Sequence, residues 1–224
     1  IITHNIAWDK CLSHKIWPAI KKGWQDADHE IHFFWGLAGK NVDKIRECIR
    51  FDKEWWYVDV GYLNAPFTRY PEPRVDWDRM YFRICKGNLH TIRGKVGDGT
   101  RLSKIESEGI DCQFKGWQTG EMTHFLLAPS SPMVTMHING MSVSKWIEVA
   151  SEQIKQATIN TEFAEMPIKI RQKPRPGNQW WQTDIRDDLK GCQALVTNMS
   201  LSAIDAILNM TPVFAHKRNI VSFI

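Results

Sequence analysis

The stretch Ala194–Ala215, ALVTNMSLSAIDAILNMTPVFA, decides the fold. Its opening residues Ala194-Leu195-Val196-Thr197 form an apolar run of strand length, closed by the polar turn Asn198-Met199-Ser200. Leu201, Ile204, Ile207 and Leu208 then recur at helical spacing, which predicts a helix with those four side chains as its apolar face. Pro212-Val213-Phe214-Ala215 follows as a second strand. Strand, helix and strand in that order predict parallel neighbours joined by a right-handed crossover.

The same pattern extends upstream. Phe125-Leu126-Leu127-Ala128 is a buried-strand run stopped by Pro129-Ser130-Ser131-Pro132. Val143, Trp146, Ile147, Ala150, Ile154 and Ala157 predict a long helix capped by Ser142 or Ser144. Pro167–Arg171 alternates apolar and basic side chains as a strand does, and Asp184–Leu189 predicts a short helix. In the first half, Ile1–Asn5, Glu30–Trp35, Trp55–Val60 and Met80–Cys85 read as strands. Pro18 suits the first turn of a helix through Ile20 and Lys22, and Asn41 suits the N-cap of a helix carrying Val42, Ile45 and Ile49. Asn64–Pro73 reads as loop, and the aperiodic Gly116–Glu121 marks a boundary between residues 1–120 and 121–224. The expected class is α/β, with two Rossmann-like lobes and mainly parallel sheets.

Composition sets limits on function. A hydrophobic share of 43% and a charged share of 24% suit a globular chain, and 224 residues suffice for two compact lobes. No apolar run approaches the ~18 residues of a membrane span, and no secretory signal opens the chain, so a cytoplasmic protein without a membrane span is expected. The five cysteines form no C-x-x-C pair and read as buried free thiols. Most of the eleven tryptophans are expected in cores or interfaces, with a minority available to stack on a sugar or base. The net charge of +4 is mild, but Lys169, Arg171, Lys173 and Arg175 cluster, as do Arg69, Arg74, Arg79, Arg83 and Arg93, which favours anionic ligands.

Two constellations carry candidate chemistry. Thr197, Asn198, Ser200, Ser202 and Asp205 lie where a strand passes into a helix, so backbone N–H groups and hydroxyls could receive phosphate oxygens. Ser202, Asp205 and Asn209 share the helical face opposite the apolar stripe, which would bring Asp205 to a ribose hydroxyl. The bland alternative makes Ser200 a cap and Asp205 a solvated carboxylate. Arg171, Lys173 and Arg175 leave a strand for a proline-stiffened loop and could hold a diphosphate, or simply keep a sheet edge solvated. Ser130 and Ser131 stand at another strand's carboxyl end, where open parallel sheets bind ligands.

Together, the Thr-Asn-x-Ser turn, the helix with its acidic residue, the Pro-Val strand and the preceding Arg-x-Lys-Pro strand resemble the donor-nucleotide half of GT-B glycosyltransferases, over roughly Phe125 to Ala215. The Trp-rich, basic character looks most like phage-type transferases, including those that glycosylate hydroxymethylated DNA bases. The resemblance implies an acceptor-side lobe over residues 1–120 and a nucleotide-sugar lobe over residues 121–224. It implies no tightly bound cofactor and no metal, with a UDP-type sugar as co-substrate and a DNA or glycan acceptor; a phage-encoded enzyme would work in the host cytoplasm. In that picture Arg171, Lys173 and Ser200 hold the diphosphate, and Asp205 contacts the nucleotide sugar. Two departures stand out: Met210-Thr211 replaces the small residue or glycine expected before the Pro-Val strand, and the chain stops at Ile224 without the closing helix, as a truncated second lobe would.

The acceptor proton needs a base from the first lobe. Asp59, at the end of the Trp-Trp-Tyr-Val-Asp strand, leads, with Asp9, His4 and His90 behind it; a turn-forming carboxylate is the competing reading of Asp59. Gly36 and Gly39 could admit a ligand close to the backbone, and Tyr62 and Arg83 complete the acceptor-side candidates. His29 and His32 lack zinc-protease spacing, and neither a Walker loop nor a G-x-S-x-G elbow occurs. A non-catalytic nucleic-acid-binding protein and a sugar-nucleotide epimerase of the same fold are the alternatives.

Overall fold

A computed structural model describes residues 1–6, 13–37, 39–61, 63, 81–90, 98–110, 112–113, 116–173, 183–219 and 221. The fold is α/β with mainly parallel sheets, in two compact units. The first holds the described residues of Ile1–Gly61 and Tyr81–Arg93, and the second those of Tyr62–Met80 and Gly94–Ile224. Among the described residues no helix is long and apolar enough to cross a membrane.

The first unit runs β1 (Ile2–Ile6), α1 (Ser13–Gly23), β2 (Ile31–Trp35), α2 (Asn41–Arg50), β3 (Glu54–Val60) and β4 (Phe82–Lys86), with sheet order β1-β2-β3-β4. The first three strands are parallel, while β4 returns antiparallel, with Arg83 opposite Asp59. Ile16, Trp17 and Ile20 of α1 pack on Phe33, Trp35 and Val58, with Trp24 and Trp56 filling the same layer. That packing sustains α1 past Pro18, which lies inside the helix rather than in its first turn. An interior proline costs about 3 kcal/mol, an amount that burying several large apolar side chains can offset.

Asn41 is also not the N-cap of α2: Lys40 holds that position, without a side-chain cap bond. The Asn41 side chain, buried, instead donates from Nδ2 to the carbonyls of Asn5, Trp35 and Gly36, stitching the ends of β1 and β2 together.

The second unit contains α3 (Thr100–Ser107), β5 (His124–Leu127), α4 (Pro132–Asn139), α5 (Val143–Thr158), β6 (Ile168–Ile170), α6 (Ile185–Leu189), β7 (Cys192–Thr197), α7 (Ser202–Leu208) and β8 (Val213–Ala215). All four strands are parallel, in the order β6-β5-β7-β8. Both faces are covered, which suits a parallel sheet. Leu127 and Val196 pack with Trp146 and Ala150 of α5, whereas Leu126 and Leu195 pack with Ile185 and Leu189 of α6 and Ala206 of α7. Of the two expected caps of α5 the Ser142 hydroxyl is the one that acts, accepting from Lys145 N, and α6 begins one residue later than expected because the Asp184 carboxylate caps it, accepting from Arg186 N. Helices α3 and α4 are not expected from the sequence; each is only eight residues long, and α3 buries none of them. Cys48, Cys85, Cys112 and Cys192 are buried free thiols.

The face that α7 buries differs from the apolar stripe. Ala203 and Ala206 are fully buried and Asp205 is buried with them, while Leu201, Ile204, Ile207 and Leu208 are half-buried. Two alanines let the helix backbone come close to the sheet, and close packing here outweighs the larger area of the branched side chains.

Candidate functional site

In the second sheet the chain leaves β5 for β6 on one side and comes back to β7 on the other. Helix α5, after β5, and helix α7, after β7, pack on opposite faces of the sheet, so β5 and β7 flank its topological switch point, the edge at which open α/β sheets take ligands. Ser130 and Ser131 follow β5, and Asn198, Met199 and Ser200 follow β7.

Asn198 ties these loops together. Its side chain is 1% exposed; Oδ1 accepts from Ser130 N at 2.8 Å and Met199 N at 2.9 Å, and Nδ2 donates to Thr135 Oγ1 at 3.1 Å and Asn139 Oδ1 at 3.0 Å. Two donors and two acceptances exhaust what an amide offers in this geometry, so Asn198 holds the loops together and has no bond left for a ligand. Met199 N adds a bond to Ser130 Oγ at 3.1 Å, and Thr197 Oγ1 donates to Ala128 O at 2.5 Å. Asn219, fully buried, donates from Nδ2 to Asn198 O at 2.9 Å and Ser200 O at 3.4 Å.

Ser131 occupies the N-cap position of α4 without a side-chain cap bond. Ser200 Oγ accepts from Ser202 N at 3.3 Å, and its own proton can still turn outward. Several N–H groups at the start of α7 are already occupied within the turn: Ser202 N by Ser200 Oγ, Ala203 N by Ser200 O, and Ile204 N by Leu201 O. Ser202 and Asp205 do not form an outward polar face. Ser202 Oγ is buried with no hydrogen-bond partner among the described residues, and Asp205 is 8% exposed.

Arg171 is directed inward as well. It is 8% exposed, and its Nη1 donates to Asp188 Oδ2 and to Thr183 Oγ1 at 2.9 Å, while Nη2 donates to Thr183 O at 2.9 Å. Burial pushes its pKa down, and the charges of Asp188, Asp184 and Asp205 hold it up. Lys173, two residues on, is exposed. Asp188 and Thr183 escape a reading of the sequence because nothing local marks them as partners of a residue 17 and 12 positions away.

A cavity of about 410 Å³ lies elsewhere in this unit. It is lined by Gln118, Asp184, Arg186, Leu189, Asn209 and Met210 among others, and runs along α6 to the turns that lead into β7 and β8. Those turns belong to the amino-terminal edge of a parallel sheet, opposite the edge at which such sheets take ligands. Geometry of the strand ends is therefore the better guide than volume.

In the first unit Asp59 is engaged on both oxygens. Oδ2 accepts from Tyr57 OH at 2.8 Å and Arg83 Nη2 at 3.0 Å, and Oδ1 accepts from Val60 N at 2.8 Å. His90, 1% exposed, has Nδ1 3.4 Å from Arg83 Nη1, and burial drives the Tyr57 pKa far up. This cluster joins β3 to β4. His4 stacks on Trp17 at 4.1 Å between ring centres, and burial lowers its pKa. Gly36 and Gly39 adopt φ of 73° and 60°, a left-handed conformation that suits glycine in the turn between β2 and α2. Asp9, Tyr62 and Arg175 lie outside the described residues. Among the described residues no three His, Cys, Asp or Glu side chains gather to hold a metal ion.

No protein-family model matches the chain. No curated protein matches it by sequence.

Proposed function

We propose that the protein is a GT-B-type glycosyltransferase that moves a sugar from a nucleotide-activated donor to an acceptor hydroxyl. The observation that supports this reading is the topological switch between β5 and β7, whose carboxyl-end loops are joined by Asn198 and Ser130 and carry Ser131 and Ser200 beside that joint. The carboxyl edge at such a switch point is where open α/β sheets receive nucleotides. Ser131 and Ser200 would offer hydroxyl donors to the diphosphate, and Lys173 a compact positive charge. Arg171 and Asn198 would act through the loops they hold.

The reaction would break the bond between the anomeric carbon and the diphosphate oxygen. The nucleoside diphosphate leaves with the electron pair, the acceptor oxygen bonds to the anomeric carbon, and a base removes the acceptor proton. Fixed positive charge would stabilise the departing diphosphate. Asp59 would have to exchange at least one of its partners, Tyr57 or Arg83, to serve as that base.

A thermal-shift panel of UDP, GDP, CDP, ADP and their sugar conjugates tests the reading. Saturation at about 100 times Kd stabilises the native state by about 2.7 kcal/mol, a readily measured rise in Tm. Sugar release in the presence of a glycan or a hydroxymethylated DNA acceptor would then identify the acceptor. No stabilisation by any member of the panel removes the proposal.

A further inference from the structure

The cavity of about 410 Å³ lies where the chain enters β7 and β8, at the amino-terminal edge of the second sheet. Its volume falls within the ~300–1,000 Å³ typical of small-ligand sites.

Gln118 builds one wall of it. Its backbone N donates to Met210 O at 2.8 Å, and its Nε2 is shared among Leu189 O at 3.2 Å, Cys192 O at 2.8 Å and Thr211 Oγ1 at 2.9 Å. One side chain therefore ties the end of α6 to the start of β7 and to the turn before β8. Asn209, which also lines the cavity, donates from Nδ2 to Asp205 O at 2.7 Å. Backbone carbonyls as partners require the NH2 end of each amide, which fixes both orientations and leaves Gln118 Oε1 and Asn209 Oδ1 as acceptors. Neither oxygen accepts a hydrogen bond from the described residues, and both reach solvent.

The charges of the lining cancel. Asp184 Oδ2 accepts from Arg186 Nη2 at 2.7 Å and its Oδ1 from Arg186 Nε at 3.1 Å, while Asp187 Oδ1 accepts from Lys190 Nζ at 2.7 Å. Burial pushes the Asp184 pKa up, but the bonds and charge of Arg186 outweigh it and bring it down, so the half-buried carboxylate stays ionised in its pair. Lys190 has three N–H groups and spends one on Asp187, and the half-buried Met210 adds apolar surface. Trp117, one residue before Gln118, is 55% exposed.

Two acids and two bases, paired within the lining, leave no net charge to draw in an ion. What the cavity offers is two fixed amide acceptors, spare ammonium N–H groups and a thioether side chain. A neutral molecule with several hydroxyls, each able to donate and accept, and with an apolar C–H face meets all three. We infer that this cavity is a binding site for a neutral saccharide, whose hydroxyls donate to Gln118 Oε1 and Asn209 Oδ1 and accept from Lys190. The inference does not rest on the transferase reading, because the cavity and the switch point lie at opposite edges of the sheet.

NMR titration of the full chain with glucose, galactose, N-acetylglucosamine and maltose tests this. At least one sugar is expected to bind saturably and to shift the side-chain amide signals of Gln118 and Asn209. Asn209→Ala should weaken that binding about three- to tenfold, as expected for one neutral hydrogen bond. Because this change also removes the bond to Asp205 O, Asp187→Trp serves as a second variant. Asp187 lines the cavity with a side chain 57% exposed, so an indole there fills the space without touching either amide and should abolish binding in a protein that keeps its circular-dichroism spectrum. Lys145→Ala/Glu148→Ala removes an equivalent exposed ion pair on α5 and should bind as wild type. No saturable binding of any of the four sugars, or binding that survives Asp187→Trp or is unaltered by Asn209→Ala, overturns the inference. Spermidine bound more tightly than every sugar, and lost in Asp187→Trp, would overturn it in favour of a polyamine. Each of these failures leaves the transferase reading to the nucleotide panel.

Discussion

Replacing Asp188 by alanine takes away the carboxylate that balances a buried guanidinium. Arg171 and Asp188 have side chains 7% and 22% exposed, and Thr183 bridges them, accepting from Arg171 and donating to the carboxylate at 3.0 Å. Breaking one partner of a buried pair costs about 3–5 kcal/mol, since the remaining charge stays desolvated. Asp184 and Asp205 also act on Arg171, so the lower end, about 3 kcal/mol, is expected. At about 2–4 °C per kcal/mol for a chain of this size, Tm should fall by roughly 6–12 °C. The double variant Arg171→Met/Asp188→Leu removes both charges at similar volume and should return to within about 1 kcal/mol of wild type. Urea denaturation of the three proteins measures both numbers. A cost below about 1 kcal/mol for Asp188→Ala, or a double variant as unstable as the single one, would refute the argument. Arg171 would then face solvent and be free to bind phosphate directly.

Asn198→Leu keeps the volume but strands Ser130 N, Thr135 Oγ1 and Asn139 Oδ1, and should cost about 3 kcal/mol in urea denaturation; a loss under about 1 kcal/mol would mean the brace is not buried as described. Met210 sits at φ 60° in the turn closing α7, where Thr211 N bonds Ala206 O and Met210 N bonds Ile207 O, the arrangement that ordinarily takes glycine. The left-handed conformation costs an L-residue roughly 1–2 kcal/mol, so Met210→Gly should stabilise by up to about 1 kcal/mol, and a lower urea midpoint would contradict it. His4, His124 and His216 all have pKa values lowered by burial, so the unfolded chain binds more protons than the native one below about pH 6.5. Stability should be full above that pH and fall on acidification; exposed His29, raised by Asp28 and Glu54, works in the opposite direction but weakly. Calorimetric Tm values at pH 7.5 and 5.5 check the sign, and a higher Tm at pH 5.5 would reverse it.

What the sequence determined by itself was the order of the elements and the class of fold. Apolar runs such as Phe125–Ala128 and Ala194–Thr197, the three-and-four spacing from Val143 onward, and the cap Ser142 are local signals, written within a few residues of where they act. They sufficed to predict alternating strands and helices, and hence parallel sheets. Met210, whose positive φ closes α7, carries no local signal of that conformation in its side chain.

Only the tertiary structure decided which polar side chains face a ligand and which hold the scaffold. Arg171, Asn198 and Asp59 are the residue types that bind phosphate or move protons, yet each is committed to partners remote in sequence: Asp188, Ser130 and Arg83 respectively. The antiparallel return of β4, and the alanine face of α7 turned to the sheet in place of its apolar stripe, were decided in the same way. A side chain's direction depends on the sum of burial and hydrogen bonding over neighbours brought together only by folding, and that sum has no local signature.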